Sequence, residues 1–307
     1  NGRLSDGSFR NYRRLSRFTQ PMFSRLSYVG AQTKTYAQRF AQCGTPGNRI
    51  ETTGSIKFDN VEFERRHESV EQKRSLVSLT GSHTTLVVGS TQSPEERTAV
   101  EAFLQLRDQF PELRLIIVPR HPDRFERVFD ELQAADVRLI RRSEIGSAID
   151  AEKWEVLLVD TVGELRWWWG VADLAIVGGS FGTRGGQNMI EPAAFGANTA
   201  FGPNTSNFRD VVSLLLENDA AEVISDLADM SDWIGNQLKD PHPGRRRAHN
   251  AVQIVRPQQG ATGKTIASLS ALLADSLRGR THNPNAPRTE LPLKDVSRAS
   301  TTTDRAA

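Results

Sequence analysis

Cysteine is nearly absent from this chain: Cys43 is the only one among its 307 residues. One cysteine excludes a disulfide within the chain and any metal site built from several thiolates, which fits a reducing compartment. No nucleophile signature surrounds Cys43, so we expect an ordinary thiol there. Long apolar runs are also missing, since no stretch approaches the ~20 residues that a membrane-spanning helix needs.

Two nucleotide-binding fingerprints are absent as well. The chain has neither the GxGxxG motif of dinucleotide-binding domains nor the GxxxxGK[ST] phosphate loop, which argues against a nicotinamide dehydrogenase and a P-loop NTPase. A large excess of one charge is also lacking, because the formal net charge is only +2. We therefore expect no nucleic-acid partner for the chain as a whole.

The positive charge is nevertheless concentrated at the start of the chain. Residues 1–27 hold six arginines against the single acid Asp6, and four aromatic residues lie between them. Such a basic and aromatic stretch suits phosphates, either of nucleic acid or of a membrane surface. A solvated amphipathic helix that packs on its own domain explains the same pattern, and both interpretations stay open.

Most of the chain alternates short apolar strands with amphipathic helices. We predict strands at TTLVVGS, LRLIIVPR, VRLIRR, EVLLVD, DLAIVGG and NTAFG. The first of these is followed by a predicted helix start in which Ser93 is the cap, Pro94 the first residue and Glu96 the end of a capping box. Strands that alternate with helices of this length predict an α/β fold with a doubly wound parallel sheet.

The two ends of the chain differ from this pattern. Residues 1–53 predict the end of a separate α/β unit: a strand, a helix that stops at Gly44, and a second strand. Residues 60–80 are charged and polar and predict a linker with a helix. Residues 278–307 have almost no large apolar residues, so we expect a disordered tail.

Small or charged residues follow four of the predicted strands, at positions 89–91, 119–122, 161–164 and 178–191. In an open parallel sheet, ligands bind outside the carboxyl ends of the strands. The fourth cluster is the richest in glycine, which lets the backbone turn sharply and approach a ligand closely. The residues alone therefore predict a nucleotide or sugar-nucleotide site.

Each candidate side chain also has a purely structural explanation. Asn188 and Glu191 form an Asn-x-x-Glu pattern that caps a helix without any ligand, or Glu191 accepts hydrogen bonds from sugar hydroxyls while the helix start binds phosphate. Arg120 serves a structural ion pair or grips a phosphate. We interpret His121 as a structural hydrogen-bond partner. Glu164 starts a helix or belongs to the site.

Three consecutive tryptophans at positions 167–169 follow Glu164. We expect them to pack on several sides of a helix, with a membrane or interdomain contact as the alternative.

The stretch GGSFGTRGGQNMIEPAAFGANTAFGPNTSNF resembles the GGS…GGHN-x-x-EPAA-x-G…GPH-x-x-NF signature of 3-deoxy-D-manno-octulosonic acid (Kdo) transferases. Other segments resemble family motifs in the same order, namely NGRLSDGSF, TGSIKFD, VVGST, VPRHPDRF, DTVGEL and ADLAIVGGS. The similarity runs from residue 1 to about residue 277. Seven motifs in order are specific to this family, although any one of them alone is not.

The resemblance implies a GT-B glycosyltransferase, an α/β fold with two Rossmann-like domains. Residues 81–277 would be the complete C-terminal, CMP-sugar-binding domain, residues 56–80 a linker with the first helix, and residues 1–55 the end of the N-terminal, acceptor-binding domain. The family transfers Kdo from CMP-Kdo to lipid A or its tetraacyl precursor, in the inner core of lipopolysaccharide. The expected location is the cytoplasmic face of the inner membrane, with peripheral or N-terminal anchoring and without cofactor or metal.

The resemblance also assigns roles to residues. Lys57 matches the family lysine that stabilises the transition state. The residues that match the CMP pocket are Pro119, Arg120, Val162, Gly163, Glu164, Asn188, Met189, Ile190 and Glu191.

Three departures from the family pattern stand out. Gln187 and Asn204 replace two histidines of the signature. The chain also begins with Asn1 instead of methionine, and we expect the first half of the N-terminal domain, with the family's catalytic base, to be absent from it. The predicted function is therefore a Kdo transferase whose chain as given is inactive alone. The alternatives are a non-catalytic CMP-sugar-binding remnant and a GT-B enzyme that uses another nucleotide sugar.

Overall fold

Nine β-strands form two parallel sheets within residues 1–281, the part of the chain that the computed structural model describes. In chain order the strands are β1 Val29–Ala31, β2 Ile50–Thr52, β3 Thr84–Thr91, β4 Leu113–Pro119, β5 Leu139–Arg141, β6 Val156–Leu158, β7 Leu174–Val177, β8 Asn198–Phe201 and β9 Glu222–Val223. β1 and β2 form the small sheet. The other seven are arranged in the order β5-β6-β4-β3-β7-β8-β9, and every neighbouring pair is parallel.

Twelve α-helices connect the strands in the same described part. Their bounds are α1 Asp6–Arg14, α2 Ser16–Ser24, α3 Lys34–Gln42, α4 Glu68–Leu76, α5 Glu95–Leu106, α6 Phe125–Gln133, α7 Leu165–Trp169, α8 Ile190–Ala194, α9 Arg209–Glu217, α10 Met230–Lys239, α11 His242–Val255 and α12 Ala261–Thr281. Residues up to Thr262 form one compact unit, and a second begins at Gly263.

The large sheet is buried on both faces, as the apolar strands predict. Along β3, Val87 points into one core and its neighbours Leu86 and Val88 point into the other, because successive strand residues face opposite sides. One core is closed by residues of α4, α7, α8, α9 and α11, and the other by residues of α5, α6 and α10. The predicted doubly wound α/β sheet is confirmed.

The first 53 residues contain the predicted strand, helix and second strand. Gly44 follows α3 with a φ of +112°, a conformation that favours glycine and ends the helix. A small core behind β1 includes Phe23, Tyr36 and the buried thiol of Cys43, whose pKa burial raises above its ordinary value. These residues lie in the same compact unit as the large sheet. The predicted domain boundaries at residues 55, 80 and 277 stay predictions.

Two local predictions differ from the structure. The capping box at Ser93 and Glu96 is wrong: α5 begins at Glu95, Pro94 occupies the cap position, and no side chain caps the helix. The Glu96 carboxylate instead accepts hydrogen bonds from Arg124 at 2.7 Å and Thr91 at 2.8 Å, so a buried ion pair outcompetes the cap.

The predicted tail differs at its start. Its first four residues, 278–281, belong to α12, and the remainder, 282–307, lies outside the described residues.

Candidate functional site

Three of the predicted strand-end loops meet at the carboxyl edge of the large sheet. A cavity of about 130 Å³ lies between the ends of β3, β4 and β6. Its walls include Ser90, Pro119, Arg120, Val162 and Gly163. The topology explains this meeting, since β6, β4 and β3 are neighbours and parallel, so their carboxyl ends share one edge.

Arg120 presents its side chain to solvent at this cavity. Its backbone N–H donates to the carbonyl oxygen of Thr91 at 3.1 Å, which ties the loop after β4 to the end of β3. Within residues 1–281, no carboxylate forms an ion pair with Arg120. The structural ion pair that would explain Arg120 is therefore not found in the described part, and its guanidinium can bind an anion.

The loop after β6 is held by its second residue, Asp160. The backbone N–H of Ser143 donates to Asp160 at 2.8 Å, and Arg141 donates at 2.8 Å. Burial raises the pKa of the Asp160 carboxyl, but the hydrogen bonds from Ser143 and Arg141 outweigh it and hold that pKa below its ordinary value. This anchored aspartate presents Val162, whose residue surface is 77% exposed, and Gly163, whose φ of +85° favours glycine.

Thr161 lies in the same loop and was missed by the sequence-based assignment of single residues. It lines the cavity, and its hydroxyl oxygen is buried without a hydrogen-bond partner within the described residues. Buried polar atoms are almost always satisfied in folded proteins, so an orphan at a cavity suggests a ligand contact. The sequence marks Thr161 only as a member of the cluster 161–164 and of the segment DTVGEL, and gives it no role of its own.

The Glu164 carboxylate is held by cations of the protein itself. Lys73 lies 2.9 Å from it, and Arg142 donates two hydrogen bonds of 3.0 Å. Burial raises the pKa of Glu164, but the hydrogen bond and charge of Lys73 and the charge of Arg142 outweigh this and lower that pKa. The side chain of Glu164 therefore binds the fold, and its assignment to the nucleotide stays a prediction.

The three tryptophans after Glu164 pack as predicted. Trp168 and Trp169 are buried in the core, and the ring of Trp167 stacks on His67 at 4.4 Å between centroids. The alternative of a membrane-facing tryptophan cluster is not supported by this burial.

The glycine-rich loop after β7 turns where three of its glycines lie. Gly179, Gly185 and Gly186 have φ values of +64°, +83° and +82°, which side chains with a Cβ rarely adopt. The N–H of Gly186 donates to the carbonyl oxygen of Gly179 at 2.9 Å, so the loop closes on itself. The predicted sharp turns are confirmed at these three positions.

The end of this loop differs from the predicted capping box. Asn188 accepts a hydrogen bond from the backbone N–H of Ile190 at 3.1 Å, and its amide donates to the Glu191 carboxylate at 3.1 Å. Glu191 therefore binds a side chain and not the backbone N–H that a capping box requires, and α8 is only five residues long. The side chains of Met189 and Ile190 are fully buried, so only their main chain can contact a nucleotide.

The pKa of Glu191 is influenced by the charge of Arg120, a residue of the cavity wall. Burial raises the pKa of its carboxyl above the ordinary value, and the charge of Arg166, the hydrogen bond from Asn188 and the charge of Arg120 offset only part of that rise. Arg120 and Glu191 therefore act on each other, although they follow different strands. Because β7 is parallel to β3, the fourth predicted loop follows the same carboxyl edge of the sheet as the other three.

Lys57 lies in a different cavity, of about 150 Å³. Its ammonium donates to the carbonyl oxygen of Asn207 at 3.4 Å and lies 4.4 Å from the ring centroid of Phe208. Asn207 in turn donates to the carbonyl oxygen of Arg184 at 2.8 Å. The structure thus places Lys57 beside the glycine-rich loop, and not in the wall of the Arg120 cavity.

The two residues that depart from the family signature also lie near this loop. The amide of Asn204 donates to the carbonyl oxygen of Phe181 at 3.2 Å. Gln187 approaches Gly179 so closely that a Cβ built on the glycine would lie 3.1 Å from its side chain. Both uncharged side chains therefore contact the loop itself.

A larger cavity, of about 390 Å³, lies at the opposite edge of the sheet, at the amino ends of β3, β7 and β8. Arg65 lines it but donates to the carbonyl oxygen of Phe195 at 2.7 Å and to that of Ala172. None of the predicted site residues lies there. We place the functional site at the smaller cavity, where parallel sheets bind ligands.

Two features are absent from the described residues. No helix among them is both long and apolar enough to cross a bilayer. Across residues 1–281, no three His, Cys, Asp or Glu side chains are grouped to hold a metal ion.

Comparison with known proteins agrees with the motifs. The family model described as 3-Deoxy-D-manno-octulosonic-acid transferase (kdotransferase) matches residues 1–60. The 3-deoxy-D-manno-octulosonic acid transferase of Haemophilus influenzae is 30% identical over 274 residues, covering 89% of this chain and 63% of that protein. The transferase of the same name from Bordetella pertussis is 33% identical over 270 residues, with coverages of 87% and 61%.

The chain is similar to Kdo transferases over most of its own length. It spans less than two thirds of the length of these two relatives, as their coverages of 63% and 61% show. The predicted family resemblance is confirmed. It applies to the loops described above, because the matched region includes all of them.

Solved structures agree with this family and its fold. The crystal structure of the C-terminal CMP-Kdo binding domain of WaaA from Acinetobacter baumannii matches with a TM-score of 0.56 and 29% identity, covering 61% of this chain and 97% of that one. The S. aureus MnaA–UDP co-structure matches with a TM-score of 0.50 and 13% identity over 85% of this chain and 65% of that one, and shows the fold alone. The chain has the predicted GT-B glycosyltransferase fold.

Proposed function

We propose that this chain carries the donor-binding part of an enzyme that transfers Kdo from CMP-Kdo to lipid A or its tetraacyl precursor. The observation that carries the proposal is that four family-matching loops follow parallel strands at one edge of the sheet, three of them around one cavity, with an unpaired arginine among the described residues there. A structural neighbour whose name states CMP-Kdo binding supports the choice of donor. The product would be the inner core of lipopolysaccharide.

Each group at the cavity has a chemical role in this proposal. Arg120 binds the phosphate of CMP, since a guanidinium suits a phosphate in charge and shape. Val162 is exposed and apolar, and it packs against the base of CMP. The hydroxyl of Thr161, which has no hydrogen-bond partner in the described residues, forms a hydrogen bond with the nucleotide. Glu191 accepts hydrogen bonds from the ribose hydroxyls, and Asn188 orients it at 3.1 Å.

Transfer forms a bond from an acceptor hydroxyl oxygen to the anomeric carbon of Kdo, and the hydroxyl proton passes to a base. The bond between that carbon and the phosphate oxygen breaks, and CMP leaves with the electron pair. Negative charge therefore grows on the phosphate oxygens as the bond breaks, and cations near them lower the barrier. Arg120 is the cation in the cavity wall. Lys57 is the second cation in this proposal, and it is linked to the glycine-rich loop through Asn207.

We further propose that α2 faces a lipid surface. Leu15, Phe18 and Met22 lie at helical spacing and are 57%, 82% and 53% exposed. Exposed arginines flank them, including Arg14 and Arg17. An exposed apolar stripe bordered by cations fits the interface of an anionic membrane, which is where a lipid acceptor at the cytoplasmic face of the inner membrane would be presented.

Calorimetric titration of CMP into the chain tests the donor proposal. We expect binding that is unchanged by EDTA. We expect Arg120→Ala to weaken it roughly ten- to hundred-fold, because a charged hydrogen-bond donor is lost. Arg127→Ala is the matched control, since Arg127 is exposed on α6 and pairs with Glu131. Equal affinity of the Arg120 and Arg127 variants would refute the role of Arg120.

Vesicle sedimentation tests the membrane proposal. The chain should pellet with vesicles that contain phosphatidylglycerol and much less with phosphatidylcholine alone, and the triple change Leu15→Ser, Phe18→Ser, Met22→Ser should abolish pelleting. Leu216→Ser with Val223→Ser is the control, because these apolar residues are also exposed but lie elsewhere. Pelleting of the triple variant at the wild-type level would exclude this surface.

A further inference from the structure

Two adjacent glutamates at the start of α5 are among the most buried charged residues of the described chain. Glu95 is 3% exposed and Glu96 is 1% exposed. Glu96 binds Arg124 and so has a cation as its partner. Among the ion pairs of residues 1–281 there is none for Glu95. Burying a carboxylate without a cation costs free energy unless hydrogen bonds compensate for it. The donors to Glu95 therefore matter.

Those hydrogen bonds join two of the loops at the candidate site. The backbone N–H of Gly179 donates to both oxygens of Glu95 at 2.9 Å, and the backbone N–H of Gln92 donates to one of them at 2.9 Å. Gly179 begins the glycine-rich loop after β7, and Gln92 follows β3. The Glu95 carboxylate therefore sets the spacing between these two loops.

The neighbouring glycines are shaped to this carboxylate. A Cβ built on Gly178 would lie 2.5 Å from an oxygen of Glu95, so a side chain at this position would displace it. Gly179 adopts its φ of +64° while it donates to Glu95. Its carbonyl oxygen accepts from Gly186 across the loop. Gly179 thus donates to Glu95 and accepts from Gly186, so Glu95 is connected to the hydrogen bond that closes the glycine-rich loop.

We propose that Glu95 is a positioning residue, which holds the glycine-rich loop, residues 178–187, in the conformation that binds the donor. This proposal rests on the proposed function for its ligand, CMP, but the hold on the loop does not depend on any ligand. Glu95 acts through the loop backbone and does not touch the donor itself.

Glu96 provides a matched control for this role. It is the next residue on the same helix turn and is equally buried, and its carboxylate also binds the end of β3, through Thr91. It makes no hydrogen bond to residues 178–187 in the described chain. Glu95→Gln and Glu96→Gln therefore make the same chemical change at sites that differ in their contact with the loop.

The experiment measures amide hydrogen exchange of the ligand-free chain, followed by CMP titration. In Glu95→Gln we expect exchange across residues 178–187 to be at least tenfold faster than in the wild type, because a carboxamide retains only one acceptor oxygen. CMP affinity should fall roughly tenfold, and Glu95→Asp should recover part of both losses. Glu96→Gln should change the melting temperature but leave loop exchange and CMP affinity within about twofold of the wild type.

The outcomes separate this proposal from the proposed function. Unchanged loop exchange in Glu95→Gln, or equal acceleration in Glu96→Gln, overturns the positioning role whether or not CMP binds. Faster loop exchange with unchanged CMP affinity also overturns it, since the loop conformation would then not matter for the donor. If the wild type binds no CMP, the proposed function fails, and with it the donor role of the loop, while the exchange data still decide whether Glu95 holds the loop.

Discussion

Two strand-end loops of this chain each carry a glutamate, and the protein treats the two carboxylates in opposite ways. After β6, Glu164 is bound by Lys73 and Arg142, and its pKa is lowered. After β7, Glu191 has the amide of Asn188 as its hydrogen-bond donor, and burial raises its pKa. The charge of Glu164 is balanced by cations of the fold and stabilises it, whereas Glu191 has no cation within ion-pair distance in the described residues and remains available to a ligand.

The largest effect expected from this comparison is on stability. Glu164→Gln leaves the ammonium of Lys73 and the guanidinium of Arg142 without their anion, and both side chains are mostly buried. We expect the free energy of unfolding to fall by about 1–3 kcal/mol, which is less than for a fully buried pair because solvent screens these partly exposed charges. Urea denaturation measures it, with Glu144→Gln as control, because Glu144 is exposed and lies in the same region. A stable variant with tenfold weaker CMP binding would reverse our assignment.

The second effect is on affinity. Glu191→Ala should weaken CMP binding by roughly tenfold or more, because a charged hydrogen-bond acceptor for the ribose is lost. The unfolding free energy should change by less than about 1 kcal/mol, since no backbone group depends on this carboxylate. Calorimetric titration and thermal melts on the same protein measure both quantities. A loss of stability with unchanged affinity would mean that Glu191 serves only the fold.

The pH dependence of stability sharpens the contrast further. The stability from Glu164 is present above the ordinary glutamate pKa of 4.5 and is lost as the pH falls through its lowered folded pKa. Glu191 behaves oppositely: its folded pKa is raised, so the folded state loses stability as the pH rises from 4.5 through that value. We compare the unfolding free energy of each Gln variant minus that of the wild type. As the pH rises, this difference should fall for Glu164→Gln and rise for Glu191→Gln. Slopes of the same sign would contradict the pKa assignments.

The smallest effect concerns Thr161, which lies in the loop after β6, three residues before Glu164. Its hydroxyl has no partner within the described residues, so Thr161→Val should leave stability unchanged or raise it by up to about 1 kcal/mol. If the hydroxyl binds the nucleotide, CMP affinity should fall about three- to five-fold. Melts and titrations measure both. Thr161→Ser is the control that retains the hydroxyl, and equal affinity of the Val and Ser variants would remove Thr161 from the site.

Much of the architecture was predictable because it depends on local patterns. The apolar runs at β3, β4 and β7 are buried on both faces, and a run of that kind identifies a central strand without knowledge of its partners. Parallel strands also place their carboxyl ends at one edge, so the meeting of the loops at Arg120 and Gly163 followed from the alternation of strands and helices. The order of motifs added the family.

Side-chain fates were less predictable, because they depend on partners that are distant in sequence. Ser93 and Glu96 have the spacing of a capping box, yet Glu96 pairs with Arg124. Lys57 matches a family motif, but its cavity depends on Asn207, 150 residues away. A motif records which residues are present and cannot show which of several cations or amides a carboxylate meets.

The sequence alone determined the strands, the glycine turns and the family of this protein, because periodicity, glycine spacing and motif order are local properties of the chain. The tertiary structure decided which carboxylates serve the fold and which face a ligand. Glu95 meets Gly179 across 84 residues, and Glu164 meets Arg142 across 22. Electrostatic and hydrogen-bond energies depend on distance and burial in space, and only the packed sheet brings those groups together.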